Sequence, residues 1–416
     1  MLTALKRKRH ILLPILIILS IIGFVHYSSS ISFNTSSNSN NSSFLKSQIP
    51  ISSNTNGKAA KYVPKFKKLT FIDYDFDFTK VTYTSTNDKF TSTYKSMNRD
   101  DGIVEDSSVN YFPGKQTILI MSVIGNSSPY GRDRNFEQFL KTILSIVEDQ
   151  SDYIISLSLL CNNPDEFNNI QKYFENELEN NLELFSTLFE SIIIVSAPFL
   201  DENSGFNRNE RHRDSIQRLR RRLIAKSRNF LLLHSLNNQQ YILTIDSDMI
   251  RFDNPEKFIS RFINSKKDIV VPRIERPGLK DYDKNSWRGE RTKPNQEQLD
   301  KMDNNQWDQW DYVPRDVQNN MYHFQTYIDN KDNEFELHKD DPDYIIPLDS
   351  VGGAVLFMKS IVIKQGVIFP TSLIVGTTWD RQEGYDGIET EGVCYLAKPL
   401  GFSCWGMPNI VAHHTG

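Results

Sequence analysis

The chain has 416 residues, enough for one large domain or two modest ones. Fifty-two acidic residues against 48 basic ones leave a formal charge of −4, which argues against whole-protein electrostatic binding of nucleic acid. Three cysteines (Cys161, Cys394, Cys404) are too few for a disulfide scaffold, and no pair has zinc-finger spacing.

The first hundred residues differ from the rest. A basic tail over residues 1–10, with Lys6, Arg7, Lys8 and Arg9, precedes an apolar run from Ile11 to Val25. The expectation is a signal-anchor span over residues 11–27, with a cleaved signal peptide as the alternative. The positive-inside bias then leaves the tail in the cytosol and the remainder in the lumen. Residues 28–110 read as a lumenal stem. Its first half is almost all Ser, Asn and Thr, which bury too little apolar area to fold. Asn34, Asn40, Asn41 and Asn126 open Asn-x-Ser/Thr sequons, in keeping with a lumenal chain. Residues 57–110 are mixed and carry aromatic patches around Phe71–Phe76, and their sequence leaves open whether they pack on the domain that follows.

From residue 111 the pattern is that of an α/β domain running to Gly416. Thr117–Val123 is an apolar run suited to a buried strand, and Phe136–Val147 recurs at helical spacing. Tyr153–Leu160 and the β-branched Ser191–Val195 are further strands, and a basic helix is expected from about Glu210 to Leu236. Tyr241–Ile245 and Asp268–Val271 are strands flanking a helix over Pro255–Ile263. Strands separated by helices imply βαβ units, a mainly parallel sheet and a site at the strands' carboxyl ends. Pro277–Asp343, charged and holding Trp287, Trp307 and Trp310, reads as an insertion or lid.

The chemistry concentrates after Tyr241–Ile245, where Asp246 and Asp248 flank Ser247. Two carboxylates at i and i+2, where a strand breaks into a turn, can face one site and hold a divalent ion that also takes phosphate oxygens. Such a pair also marks ordinary solvated turns. In the basic helix, Arg221 and Arg228, with Asn229 beside them, are the candidates to reach a diphosphate; the plainer alternative is a solvated basic face. Asp349 precedes Gly352 and Gly353, a pair that permits close backbone approach to a ligand or simply a tight turn. Glu389 and Glu391 flank Thr390 ahead of a helix, where acids often serve as dipole partners. His413 and His414 close a late apolar strand and are metal-ligand candidates.

Taken together, Arg218 through Asn229, Asp246-x-Asp248, Asn285-Ser286-Trp287, Asp349 to Gly353, Phe369-Pro370, Glu389 to Gly392, Ala397 to Gly401 and Gly406 to Asn409 resemble the fungal mannan-polymerase mannosyltransferases, glycosyltransferase family 62. The resemblance runs from about Ile118 to Gly416. It implies a GT-A-type fold, GDP-mannose as donor, Mn2+ as cofactor, retaining transfer of α-mannose to a mannan or N-glycan outer-chain acceptor, and a type II Golgi membrane protein working with related subunits. It also implies that Asp246 and Asp248 hold the metal and diphosphate, with His414 as a further ligand. The loop Thr371–Gly387 and the insert Arg288–Gln309 depart from the family pattern and border the expected acceptor side.

For that chemistry, Asp349, Glu389 and Glu391 are the candidate catalytic carboxylates, with Asp349 or Glu391 expected to orient the acceptor hydroxyl. Two other readings stand beside it. One is a structural subunit with a transferase-like body. The other is a phosphohydrolase with Asp246 as nucleophile, disfavoured because Ile250 stands where such enzymes carry Thr or Val and because the strand comes late in the domain. Cys394 and Cys404 are free to bridge in an oxidising lumen, which spacing alone leaves open.

Overall fold

The computed structural model describes residues 65–87, 90, 115–148, 150, 152–201, 214–306, 309, 315–330, 333–372, 374–375, 384–385 and 387–416. The expected tail, span and Ser/Asn-rich stretch lie outside these residues, as do Trp307, Trp310 and most of the Thr371–Gly387 loop. No helix among the described residues is long and apolar enough to cross a membrane.

A hairpin of β1 (Phe66–Asp73) and β2 (Phe78–Ser85) comes first. Next are β3 (Gln116–Ile124), α1 (Phe136–Val147), β4 (Tyr153–Cys161), α2 (Pro164–Asn180), α3 (Leu182–Leu188) and β5 (Phe189–Ser196). The basic helix α4 (Asp214–Ser235) leads to β6 (Tyr241–Ile245), β7 (Met249–Phe252), α5 (Pro255–Asn264) and β8 (Ile269–Glu275). The insertion holds β9 (Trp287–Arg291), α6 (Gln296–Asp303), β10 (Asp316–His323), α7 (Phe324–Ile328) and α8 (Glu334–His338). After it come β11 (Ile346–Leu348), β12 (Val355–Lys359), α9 (Ser360–Lys364), the short β13 (Ile374–Val375) and β14 (Gly384–Tyr385), α10 (Thr390–Ala397) and β15 (Cys404–His414).

Local chemistry sets these boundaries. Asn135 and Gln138 exchange side-chain and backbone hydrogen bonds as a capping box at the start of α1. Asn163 caps α2 ahead of Pro164, whose missing N–H costs nothing at a helix start. On β3, Ile118 and Ile120 face one core and Leu119 and Met121 the other, so alternation fills both sides of one strand.

Eleven strands form one sheet in the order β1-β2-β5-β4-β3-β6-β12-β8-β15-β11, with β7 on β15. The run β5-β4-β3-β6 is parallel throughout, as βαβ crossovers require. β12 enters antiparallel between β6 and β8, and β15 then pairs parallel with β8. Helices cover both faces of this α/β body, with α1 and α5 over one core and α4 and α10 over the other.

Two expectations change. The hairpin β1–β2 falls in the segment read as stem, yet β2 pairs with β5 along Thr79–Thr84 and extends the sheet. The folded body therefore starts ahead of Phe66 rather than at residue 111, because β-branched and aromatic residues here bury on a sheet edge that linear composition does not reveal. The insertion builds a β9–β10 ribbon around the buried Trp287 and Leu299. It is anchored to the main body: Trp287 N–H donates to the Ser350 carbonyl at 3.2 Å.

Candidate functional site

The turn after β6 carries the acidic pair. Asp246 N–H donates to the Ala354 carbonyl on the neighbouring strand at 2.8 Å, and Met249 N–H donates back to the Asp246 carbonyl at 3.1 Å. The Ser247 hydroxyl donates to the Pro129 carbonyl at 2.6 Å. Both carboxylates are thus presented from a braced turn. The register of β7 on β15 places Met249 opposite His414, which brings the His414 Nε2 to 3.0 Å from Asp248 Oδ2. Burial lowers the His414 pKa, but the hydrogen bond and charge of Asp248 outweigh it, and the net shift is upward.

Beneath Asp246 sits Arg228, a buried guanidinium in the middle of α4. Its Nη2 donates to Asp246 Oδ1 at 2.7 Å and to the Gly353 carbonyl at 2.8 Å, and its Nη1 donates to Glu389 Oε1. Burial alone would lower its pKa; the charges of Glu389 and Asp246 raise it above the ordinary arginine value. Asp246 itself is pushed up to about 7, first by burial and then by Asp248 and Glu389, against the pull of Arg228. It is packed round by protein yet keeps 41% of its side chain open to the cleft.

The two glycines serve this node. A side chain on Gly353 would bring its Cβ to 2.6 Å from Arg228 Nη1, and one on Gly352 would collide with the Asp283 carboxylate. The Gly353 and Ala354 N–H groups donate to Asp283 Oδ2 at 2.9 and 3.2 Å. Close approach is therefore required, but by the protein's own side chains. Burial raises the Asp283 pKa despite those hydrogen bonds.

A second node lies one helical face along. Arg221 and Arg228 are seven residues apart, two turns of α4, and so point the same way. Arg228 meets Glu389 and Arg221 meets Glu391. Glu391 has 0% side-chain exposure; Arg221 Nη2 takes one oxygen and Arg291 Nη1, from β9, takes the other at 2.5 Å. The expectation that Glu391 orients an acceptor hydroxyl gives way here, since both its oxygens are engaged and closed off. Arg221, expected on a diphosphate, also donates to the Ile388 carbonyl at 2.8 Å.

Asn229 locks the same region from the other side. Its amide donates to the Phe369 carbonyl at 2.7 Å and accepts from the Phe369 N–H at 2.9 Å, using both polar atoms on backbone rather than on a ligand. The Pro370 carbonyl then accepts from Glu389 N–H at 2.8 Å, which holds Glu389 at a positive φ of 67° just ahead of α10. Asp349 stands apart, with its Oδ2 accepting from the Gly289 N–H at 2.9 Å. His413 faces away to Asp253, at 3.0 Å, and to Arg251. Cys394 and Cys404 are joined by a disulfide, their Cα atoms 6.0 Å apart, which ties α10 to β15.

Sequence reading brings Asp246, Asp248, His414, Arg228 and Glu389 to one place, and the structure joins them. It missed Asp283 and Arg291. The nearest available signal for Asp283 was its position two residues before Asn285-Ser286-Trp287; nothing local marks Arg291, whose partner is 100 residues away.

For a divalent cation, the donor chemistry fits: two carboxylates and an imidazole nitrogen, with substrate oxygens or water to complete the shell. Among the described residues no three His, Cys, Asp or Glu side chains are already gathered as a cage, because Asp246 is turned to Arg228.

The Anp1 family model matches residues 104–372. Among curated proteins, the chain is 32% identical over 220 residues to the mannan polymerase complex subunit mnn9 of Schizosaccharomyces pombe, covering 52% of this chain and 58% of that protein. It is 23% identical over 378 residues to the mannan polymerase complex subunit MNN9 of Candida albicans, covering 83% and 93%. It is 24% identical to the mannan polymerase I complex VAN1 subunit of Saccharomyces cerevisiae, covering 67% and 48%. The chain thus spans little more than half the length of the fission-yeast relative. A solved structure of GalNAc-T7 with UDP, GalNAc and Mn2+ is similar at a TM-score of 0.35 and 10% identity, covering 72% of this chain and 43% of that one, too distant to fix fold type or chemistry. The family match ends before Glu389 and His414, so their place at the Asp246–Asp248 turn rests on the geometry above.

Proposed function

The chain belongs to the Anp1 family, and we propose that it is a GT-A-type glycosyltransferase subunit of a mannan polymerase complex, transferring α-mannose from GDP-mannose with retention. The observation that supports this best is the open carboxylate pair at the end of a parallel strand, with Arg228 behind Asp246 and His414 beside Asp248. The proposed setting is the Golgi lumen, reached through a signal anchor at residues 11–27. Related mannosyltransferase subunits are the proposed partners, and a mannan or N-glycan outer chain is the acceptor.

On this reading Asp246, Asp248 and His414 would hold Mn2+, which when bound supplies Lewis-acid stabilisation of charge on the departing diphosphate. Arg228 holds one oxygen of Asp246 at 2.7 Å while the side chain stays 41% exposed. Its own charge is spent on Asp246 and Glu389, so it is a positioning residue rather than a diphosphate clamp. Glu389 holds Arg228 in turn. Asp349 is the candidate to orient the acceptor hydroxyl, because it accepts a hydrogen bond from Gly289 N–H with one oxygen and keeps the other for a further donor. The description of the relatives as complex subunits favours a second reading, a subunit that shapes the complex without turning over substrate itself.

The test is transfer by the full chain from GDP-mannose to an α-mannobiose acceptor with Mn2+, beside the double variant Asp246→Ala/Asp248→Ala. Metal-dependent product that falls at least about a hundredfold in the variant, roughly 2.7 kcal/mol of barrier, supports the enzyme reading. Donor binding without turnover selects the second reading, and no donor binding defeats the donor assignment.

A further inference from the structure

Among the described residues, no strand covers the outer edge of the β1–β2 hairpin. β1 is the terminal strand of the eleven-stranded sheet. An edge of this kind is a template for another strand unless charge, a bulge or a covering segment blocks it. Leu69 and Phe71, two residues apart and so on one face of β1 next to that edge, are 65% and 53% exposed.

The backbone sets which groups are offered. Thr86 N–H donates to the Lys65 carbonyl at 2.7 Å, so residue 65 turns its polar groups toward β2. Alternation then directs the N–H and C=O groups of Phe66, Lys68, Thr70 and Ile72 outward. The register of β1 on β2 is unbroken from Phe66 to Asp73, so that alternation holds along the whole strand.

Charge along β1 is polarised. Lys65, Lys67 and Lys68 lie at its start, and Asp73, Asp75 and Asp77 at its end. Two such strands side by side in parallel would set like charges together. Run antiparallel, they set lysines against aspartates.

We propose that the outer edge of β1 is the contact between two copies of this chain, paired antiparallel about a two-fold axis at Thr70. In that register Thr70 faces Thr70 of the second copy as a hydrogen-bonded pair, and Lys68 and Ile72 exchange the flanking backbone bonds. Leu69 lies opposite Phe71 and Lys67 opposite Asp73, twice each by symmetry. A two-fold contact needs one self-complementary patch, which this strand supplies, and pairing removes both free edges at once. The proposal is independent of any catalytic reading of the acidic cleft.

The full chain carrying Thr70→Cys tests it. Cys161 is buried and Cys394 and Cys404 are bonded to each other, so the new thiol is the accessible one among the chain's cysteines. Mild oxidation in detergent is expected to give a covalent dimer, faster by about tenfold or more than in Lys67→Cys, whose counterpart in this register faces Asp73. Light scattering, with the detergent contribution subtracted, is expected to give the mass of two chains for the unaltered protein and one for Leu69→Lys/Phe71→Lys, with circular dichroism showing both folded. A monomeric unaltered chain, equal cross-linking at both cysteines, or a dimer indifferent to the double substitution would each overturn the proposal. Capture of a different protein on this edge in place of a second copy would overturn it as well.

Discussion

Two guanidinium–carboxylate nodes flank Thr390 at the start of α10, both fed by one face of α4. Arg228 reaches Glu389 and, on its other side, Asp246, a carboxyl that is open to the cleft. Arg221 reaches Glu391, which Arg291 closes from the insertion, leaving it with no exposure at all. The residue types are the same and the spacing is shared, but one node ends in a site and the other is a strut between three elements. Burial of a charge matters less here than whether a partner remains on the solvent side. A carboxylate with one oxygen toward solvent can take a ligand, and one with both oxygens on arginine cannot do so without breaking a largely buried ion pair.

The largest effect is expected where the strut is cut. Glu391→Ala leaves the largely buried Arg221 and Arg291 facing a void, with the Ile388 carbonyl and Asp316 among their remaining partners, and should cost about 3 kcal/mol of stability by denaturant unfolding. A small loss there would show that α10 and the insertion are held together by something else. The open node is probed more gently by Gly353→Ala, whose added methyl presses on Arg228. That change should cost about 1–3 kcal/mol and lower transfer with it, whereas an effect on stability alone would separate Arg228 from the site's geometry.

The smallest effect comes from the C-terminal turn of α4 and gives a baseline outside both nodes. Burial, and then Lys80, lower the His234 pKa, and its ring packs between Phe78 and Phe230 at 4.6 and 4.3 Å. The folded state thus prefers the neutral imidazole. Its contribution is fully present above the ordinary histidine pKa of 6.5 and is lost as the pH falls through the lowered folded value. His234→Leu should flatten the fall in melting temperature below that point. An unchanged acid slope in the variant would place the sensitivity elsewhere.

Much of this was legible from local pattern. The run Tyr241–Ile245 into Asp246-Ser247-Asp248 predicts a strand ending in paired acids because alternation and turn chemistry are properties of neighbouring residues. The same holds for the helices expected over Phe136–Val147 and Pro255–Ile263, found at Phe136–Val147 and Pro255–Asn264. Arg221 and Arg228 were singled out together, but for a diphosphate; their carboxylate partners were not legible. The family match places the chain without reaching α10 or the closing strand.

What the sequence alone determined is therefore the strands and helices between Thr117 and Val271, the acidic turn and the residues worth watching, since hydrophobic period, caps and turns act over a few positions. Only the tertiary structure decided which charges satisfy one another. Arg228 with Glu389, Arg291 with Glu391 and Asp248 with His414 are separated by 100 residues or more. A buried charge takes whichever counter-charge the fold delivers, not the nearest one along the chain. The same limit applied to β1, whose residues read as stem until β2 was found paired to β5 across more than a hundred positions.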